Sequence, residues 1–408
     1  MNRNLLKRIF NILKILGPGF IVMIADMDAG STATAIQSGA QYEYKLILLQ
    51  VILIPLLYII QEISLRLGCV TGKGHGALIR EYYGKKWAIF TTVTLLAVVF
   101  SALLTEFAGV ASSGEIFNIP KIYSILISVF ILIWVVLRGK YRMVENIALF
   151  FSFAGFILIP AAILAHPHYV NIVKNIISSQ PLNEKRYLLL IAANIGAVIM
   201  PWMIYYQQSA TVDKGLSCNN LRLARMDTLI GSFATQFLMI VGVILGASTL
   251  FRYHMPFKSF YIFAQAIKPI IGQYGILLFA IGLYALSMLA AFVVSVSFAW
   301  ASGETWGFSH SLNTKFNQGK KFYSIYISVI VLSAIIILIP HIPLVNLMVD
   351  VEAFNGFVLP IVLGFLIVLA SNKKILKEYS YSKRRLFLVY FLSLAIIVLG
   401  IFTSLPVH

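Results

Sequence analysis

The sequence predicts an all-α polytopic membrane protein of eleven transmembrane helices, two of them interrupted. Three observations predict it. The 408 residues are 60% hydrophobic and 12% charged, against about 25% charged in a soluble domain. Apolar stretches of spanning length, about 20 residues, recur along the whole chain. Lys and Arg gather at the ends of those stretches and not at their centres.

The spans fall at about 15–40 (broken), 44–65, 87–112, 122–137, 147–165, 187–210 (broken), 228–250, 273–300, 323–340, 343–370 and 386–404. They leave a single transmembrane domain over 1–408, without room for a soluble domain or long linker. The basic start, MNRNLLKRIFNILK, precedes no small-residue cleavage site and reads as a tail entering the first helix. The net charge is +17, which raises the question of nucleic acid. Its distribution answers it. Alternate connections hold 24 of the 32 Lys and Arg, and the opposite connections hold 8. That excess places the N-terminus in the cytoplasm, and eleven spans then place the C-terminus outside. The basic charge is a topology signal and a contact for anionic lipid. Cys69 and Cys218 both fall in connections on the reducing side, which argues against a disulfide.

The first span breaks in its middle. Residues 15–40 read ILGPGFIVMIADMDAGSTATAIQSGA, and Asp28-Ala29-Gly30-Ser31 interrupts the apolar run. A carboxylate, a glycine and a hydroxyl at bilayer depth cost free energy, and are kept there to hold or conduct something polar. Gly30 disfavours helix, and Ser31 competes for backbone hydrogen bonds. Asp28 therefore reads as a cation ligand, as the N-cap of the half-helix that follows, or as both. The sixth span breaks at Ala197-Val198-Ile199-Met200-Pro201-Trp202, because Pro201 lacks an N–H and clashes one turn back. This frees carbonyls near Ala197. Met200 either packs or offers a soft thioether ligand. Two interrupted helices in corresponding positions point to a transporter's midplane site.

With the cations outside, the acids Asp26, Asp28, Glu62, Glu106, Asp227, Asp350 and Glu352 stand out as buried. An imported cation suits this pattern better than an anion. Glu106 is either a proton relay or a neutral hydrogen-bonded group. Glu352 and Asn355 are one turn apart and share a face, which lines an ion path or marks a helix end. Glu62, four residues before Arg66, reads as a local ion pair. None of the seven histidines falls at a predicted span centre, so no intramembrane histidine shuttle is expected.

The motifs GPGF (17–20), DAGS (28–31), SGAQYEYKL (38–46), RLGCVTGK (66–73) and RLARMDT (222–228) resemble the Nramp (natural resistance-associated macrophage protein) divalent-metal transporters over nearly the whole chain. The resemblance implies a leucine-transporter-like fold with a 5+5 inverted repeat. It assigns 1–165 and 187–370 to the two repeats and 386–404 to an additional helix. It also implies a transported Mn²⁺, Fe²⁺ or Mg²⁺ ion, no separate cofactor and a prokaryotic plasma membrane. No obligate protein partner is expected. The implied ligands are Asp28, the Ser31 hydroxyl, Met200 sulfur and the carbonyls of Ala25 and Ala197. Glu106, Glu352, Asn355 and Trp202 would line an ion or proton path.

The chain departs from the family pattern in a consistent direction. Ser31 stands for a family Asn. Trp202 and Met203 stand for His and Asn, Leu103 for an Asp, and Glu352 for a Gln. The lost His and Asp are the groups the family links to proton movement, so weak or absent proton coupling is expected. The run PWMIYYQQSATVDKG (201–215) is similar to the Nramp-related branch associated with Mg²⁺, yet that branch lacks the methionine kept here as Met200. An organic-solute symporter of the same fold would set a substrate carboxylate against Asp28. A non-transporting sensor would need a signalling extension, and no enzyme motif is present.

Overall fold

A computed structural model describes residues 17–138, 140–339 and 344–384, with scattered positions from 386 to 398. Every regular element among the described residues is helical. The helices are α1 (Pro18–Asp26), α2 (Ala29–Tyr42), α3 (Ile47–Thr71), α4 (His75–Tyr83), α5 (Lys85–Ile116), α6 (Lys121–Arg138), α7 (Tyr141–Gly155) and α8 (Leu158–Leu164). They continue as α9 (Tyr169–Ile177), α10 (Lys185–Val198), α11 (Pro201–Asp213), α12 (Leu221–Gly246), α13 (Phe260–Trp306), α14 (Lys320–Leu338), α15 (Leu344–Ser371) and α16 (Lys373–Leu376). Among the described residues, 9 helical segments are long and apolar enough to cross a membrane. The first broken span is not one of them, since α1 has 9 residues and α2 has 14. The expected eleventh span, 386–404, lies mostly outside the described residues.

Both expected breaks are present. Between α1 and α2, Met27 leaves helical geometry (φ −79°, ψ 55°) and Asp28 is extended (φ −77°, ψ −173°). Between α10 and α11, Ile199 (φ −127°, ψ 80°) and Met200 (φ −87°, ψ 140°) are extended, and Pro201 opens the next helix. A residue before proline is driven to extended backbone, and proline suits a first helical position.

Helix α13 is the post of the bundle. Its side chains from Phe279 to Thr305 are nearly all buried, and it packs against α5, α7, α11 and α14. Its 47 residues would be about 70 Å long if straight, but Gly272 (φ 70°, ψ 179°) kinks it. The kink falls next to 273, the residue at which the sequence predicts the span to begin. Helix α12 packs along both halves of the first broken span. It touches α2 through two glycines. A Cβ at Gly39 would lie 2.0 Å from the Val243 carbonyl oxygen, and one at Gly246 would lie 2.0 Å from that of Ile36. Small residues let two backbones meet in this way.

Three expectations are corrected. Connections 66–86 and 165–187 contain helices, α4 and α9. Helix α9 has no buried residue, so no core pattern marks it. Arg66 lies inside α3 and is 5% exposed, because Glu62 Oε1 receives its Nη2 at 2.7 Å. Asp350 is exposed while Glu352 is buried. Two residues along a helix turn by about 200°, so the pair faces opposite sides. The two cysteines are free, with Cys218 Sγ 3.7 Å from the Cys69 carbonyl oxygen.

Gly246→Leu should lower the thermal unfolding midpoint of the detergent-purified protein, at a cost of about 1–3 kcal/mol for overpacking. The obstacle is backbone, which no rotamer change relieves. Gly364→Leu, where a Cβ meets nothing within 4 Å, should leave the midpoint within error. Equal midpoints for both variants would show that the α2–α12 approach is not tight.

Candidate metal centre

The two breaks meet. The Ser31 hydroxyl of α2 donates to the Ala197 carbonyl oxygen in the last turn of α10, at 3.0 Å. Asp28 caps α2, its Oδ1 accepting from Ser31 N at 2.7 Å. This is N-cap chemistry, a side-chain oxygen taking a free N–H of the first turn. It uses one carboxylate oxygen. Asp28 Oδ2 is buried without a hydrogen-bond partner. Ala25 and Asp26 lie in the last turn of α1, both buried, and both Asp26 oxygens lack partners.

Helix α15 brings a further carboxylate. Glu352 Oε1 and Asp28 Oδ1 flank the place where Gly30 has no side chain. They lie 2.1 Å and 3.4 Å from the position a Cβ would take there. Gly196 lets α15 approach, since a Cβ on it would lie 2.2 Å from the Glu352 carbonyl oxygen. Asn355 Nδ2 donates to Glu352 Oε2 at 3.2 Å, which leaves Glu352 Oε1 and Asn355 Oδ1 without partners. The expected shared face of Glu352 and Asn355 is therefore real.

Glu106 of α5 completes the ring on another side. Its Oε2 accepts from Ala29 N at 3.3 Å and its Oε1 from Thr105 Oγ1 at 3.0 Å. Gly109, one turn on, sits so close to Ala29 that a Cβ would lie 2.5 Å from the alanine methyl. That contact sets Glu106 against the break. Leu103 is wholly buried one turn earlier.

Met200 and Trp202 are both buried, and they touch. Trp202 Nε1 donates to Met200 Sδ at 3.0 Å. Sequence reasoning missed this contact. Nothing in a Met-Pro-Trp run fixes the rotamers that bring indole to sulfur. It also left Asp26 outside the candidate set, although the same span and the same break contain it.

The rest of the fold shows how unusual these free oxygens are. Asp227 accepts from the N–H groups of Gly17, Gly19 and Phe20 at 2.9, 2.8 and 3.1 Å, and so caps the start of α1. Glu304 accepts from Ser209 Oγ at 2.6 Å and Gly76 N at 2.9 Å. Glu62 is held by Arg66 and Arg225, each at 2.7 Å. Glu145 pairs with Lys214 at 2.7 Å. Among the described residues, the buried carboxylate oxygens without any partner belong to Asp26, Asp28 and Glu352. No three carboxylate, imidazole or thiolate groups there converge as a chelate. Any ion at this point must be shared with hydroxyl, carbonyl and sulfur donors. Such a mixed set, acidic and free of Lys and Arg, suits a cation that is held and then released.

The profile of the family described as natural resistance-associated macrophage protein-like (Nramp) matches residues 19–405. The chain is 23% identical over 410 residues to the "Divalent metal cation transporter MntH" of Levilactobacillus brevis, covering 97% of this chain and 89% of that protein. It is 30% identical over 203 residues to the protein of the same name from Latilactobacillus sakei. That second match spans 48% of this chain and less than half, 44%, of the relative's length. In structure it is similar to a manganese transporter of Eremococcus coleocola, with a TM-score of 0.82 and 19% identity, over 99% of this chain and 88% of the other. The chain belongs to the Nramp family.

Proposed function

We propose that this protein carries divalent metal cations, Mn²⁺ and Fe²⁺ foremost, into the cytoplasm by alternating access at the two helix breaks. The observation that carries this reading is the confinement of unpartnered buried carboxylate oxygens to Asp26, Asp28 and Glu352. An unpaired buried charge is costly, and a doubly charged cation is what offsets several of them at once. The bacterial relatives, named as divalent metal cation transporters, agree with it.

In this reading Asp28 is the anionic ligand. The Ser31 hydroxyl turns from the Ala197 carbonyl to the ion, and the carbonyls of Ala197 and Ala25 add oxygen. Met200 adds sulfur. Glu352, with Asn355 behind it, supplies a second negative charge across Gly30. Glu106 lies on the path beside the break. The two repeats, 1–165 and 187–370, rock about this point, with the helix at 386–404 outside them. The basic connections face the cytoplasm. An inside-negative potential favours entry by about 2.3 kcal/mol per elementary charge per 100 mV, and twice that for a divalent ion. That gradient drives uptake without a proton. An organic substrate bearing a carboxylate would meet Asp28 and Glu352 as like charges.

Mg²⁺ is a second reading, and a specific contact favours it. The indole N–H of Trp202 already engages the Met200 sulfur. This weakens the one soft donor, while Glu352 adds hard oxygen. Hard cations take oxygen ligands, and thioethers favour softer metals.

Asp28→Ala should abolish Mn²⁺ uptake by purified protein in liposomes while the protein stays monodisperse. A pH-sensitive dye trapped in the same vesicles should stay silent as the wild type imports metal under a clamped potential. Near-normal uptake by folded Asp28→Ala would remove the aspartate from the site. Metal-dependent acidification would remove the uncoupled mechanism, and its loss in Glu106→Gln would assign the proton to that carboxylate.

Met200→Ala should weaken Cd²⁺ binding by roughly tenfold and Mg²⁺ binding far less, as soft-ligand preference requires. Trp202→Phe, which frees the sulfur, should shift selectivity the other way, toward Cd²⁺. Calorimetric titration of the three proteins reads both effects. Equal changes for both ions in both variants would mean that Met200 only packs.

A further inference from the structure

A cleft of about 530 Å³ opens at the basic end of the bundle, and its lining shares no residue with the helix breaks. One end of it is apolar, lined by Pro55 and Ile59 of α3 and by Val389. The other end holds Arg225 of α12 and Arg384, beside Glu62 and Tyr381. The apolar track continues up α3 through the exposed Val51 and Ile52, 47% and 56% exposed.

The charge at the polar end does not balance. Among the described residues, Glu62 is the only carboxylate lining the cleft, and both its oxygens are already used. Oε1 accepts from Arg66 Nε and Nη2 at 3.1 and 2.7 Å and from Arg225 Nε at 2.7 Å. Oε2 accepts from the Tyr381 hydroxyl at 2.5 Å. Arg66 is spent as well. It donates to the Tyr379 carbonyl at 2.7 Å and lies 4.1 Å from the Tyr381 ring centroid. Arg225 gives Glu62 only its Nε and keeps its side chain 32% exposed. Arg384 bonds no other described residue. Three guanidinium groups thus stand against one carboxylate, and the surplus faces the cleft.

The level of this cluster matters. Arg66 is twenty positions into α3, about 30 Å from its far end, which is the thickness of the hydrocarbon core. The arginines therefore lie where lipid headgroups lie, and the apolar track below them lies among acyl chains.

We propose that this cleft binds an anionic phospholipid of the cytoplasmic leaflet. Its phosphate sits between Arg225 and Arg384, and one acyl chain runs along Pro55, Ile59 and Ile52. Guanidinium forks suit phosphate oxygens, and basic pockets between membrane helices take such headgroups. The bound lipid ties the 377–384 connection, through Tyr381 and Arg384, to α3 and α12. The inference rests on the orientation given above and not on which ion is carried.

Native mass spectrometry of protein released from mixed phosphatidylglycerol–phosphatidylcholine nanodiscs tests it. The wild type should retain phosphatidylglycerol over phosphatidylcholine. Arg384→Gln breaks no bond within the described fold, and should reduce that preference by about tenfold, the loss of one charge-assisted contact. Arg225→Gln/Arg384→Gln should abolish it. Ile59→Trp, which fills the apolar end and keeps both arginines, should also lose the lipid. Lys85→Gln/Lys86→Gln, basic but outside the cleft, should retain it. Unchanged retention in Arg384→Gln and in the double variant would overturn the proposal. So would displacement by inorganic phosphate together with normal retention in Ile59→Trp, which would mark a free-anion site instead.

Discussion

Backbone polar groups released inside a membrane must be satisfied by something, and at the two helix breaks much of the structure is arranged around that need. The Ser31 hydroxyl joins the breaks by bonding the Ala197 carbonyl, and Asp28 satisfies the first turn of α2. Each solution leaves a residue of polarity behind. Capping α2 uses one oxygen of Asp28 and strands the other. The close packing of Gly30, Gly196 and Gly109 follows from the same point. Only without side chains there do α15 and α5 come near enough to present Glu352 and Glu106 to the break.

The bundle handles its other buried acids differently, and the contrast gives the site its meaning. Asp227 is neutralised by a helix N-terminus, Glu62 by two arginines, and Glu304 by a hydroxyl and a backbone N–H. Each is a completed arrangement that locks two segments together. Asp26, Asp28 and Glu352 are incomplete within the described protein, and they are incomplete together. In the function proposed above, a mobile cation answers the oxygens left open beside the breaks, with hydroxyl, carbonyl and sulfur donors sharing it. A permanent ion pair there would be a structural bond, not a transport site.

Much of this was legible in the sequence because local chemistry dictates it. The polar run at Asp28 and the Met200-Pro201 pair marked both breaks, although the first falls at Met27 and Asp28, and Gly30 and Ser31 are already helical in α2. The Glu62–Arg66 pair follows from a four-residue spacing, and the shared face of Glu352 and Asn355 from a three-residue one. What could not be read is set by tertiary packing. Nothing local says that α15 delivers Glu352 to Gly30, or that the Trp202 indole turns onto Met200. Composition alone counted Asp350 among the buried acids, and helix phase sends it to the other face. The helices α4 and α9 were hidden for another reason. They are short, and α9 has no buried face to impose a pattern.

The central claim is that the free oxygens at the double break receive a divalent cation. Anomalous diffraction at the manganese edge from crystals soaked in Mn²⁺ tests it most directly. The account predicts one dominant peak between the two breaks, within ligand distance of Asp28. An ordered break with no peak, and a dominant peak elsewhere, such as beside Asp213 and Glu304, would contradict it.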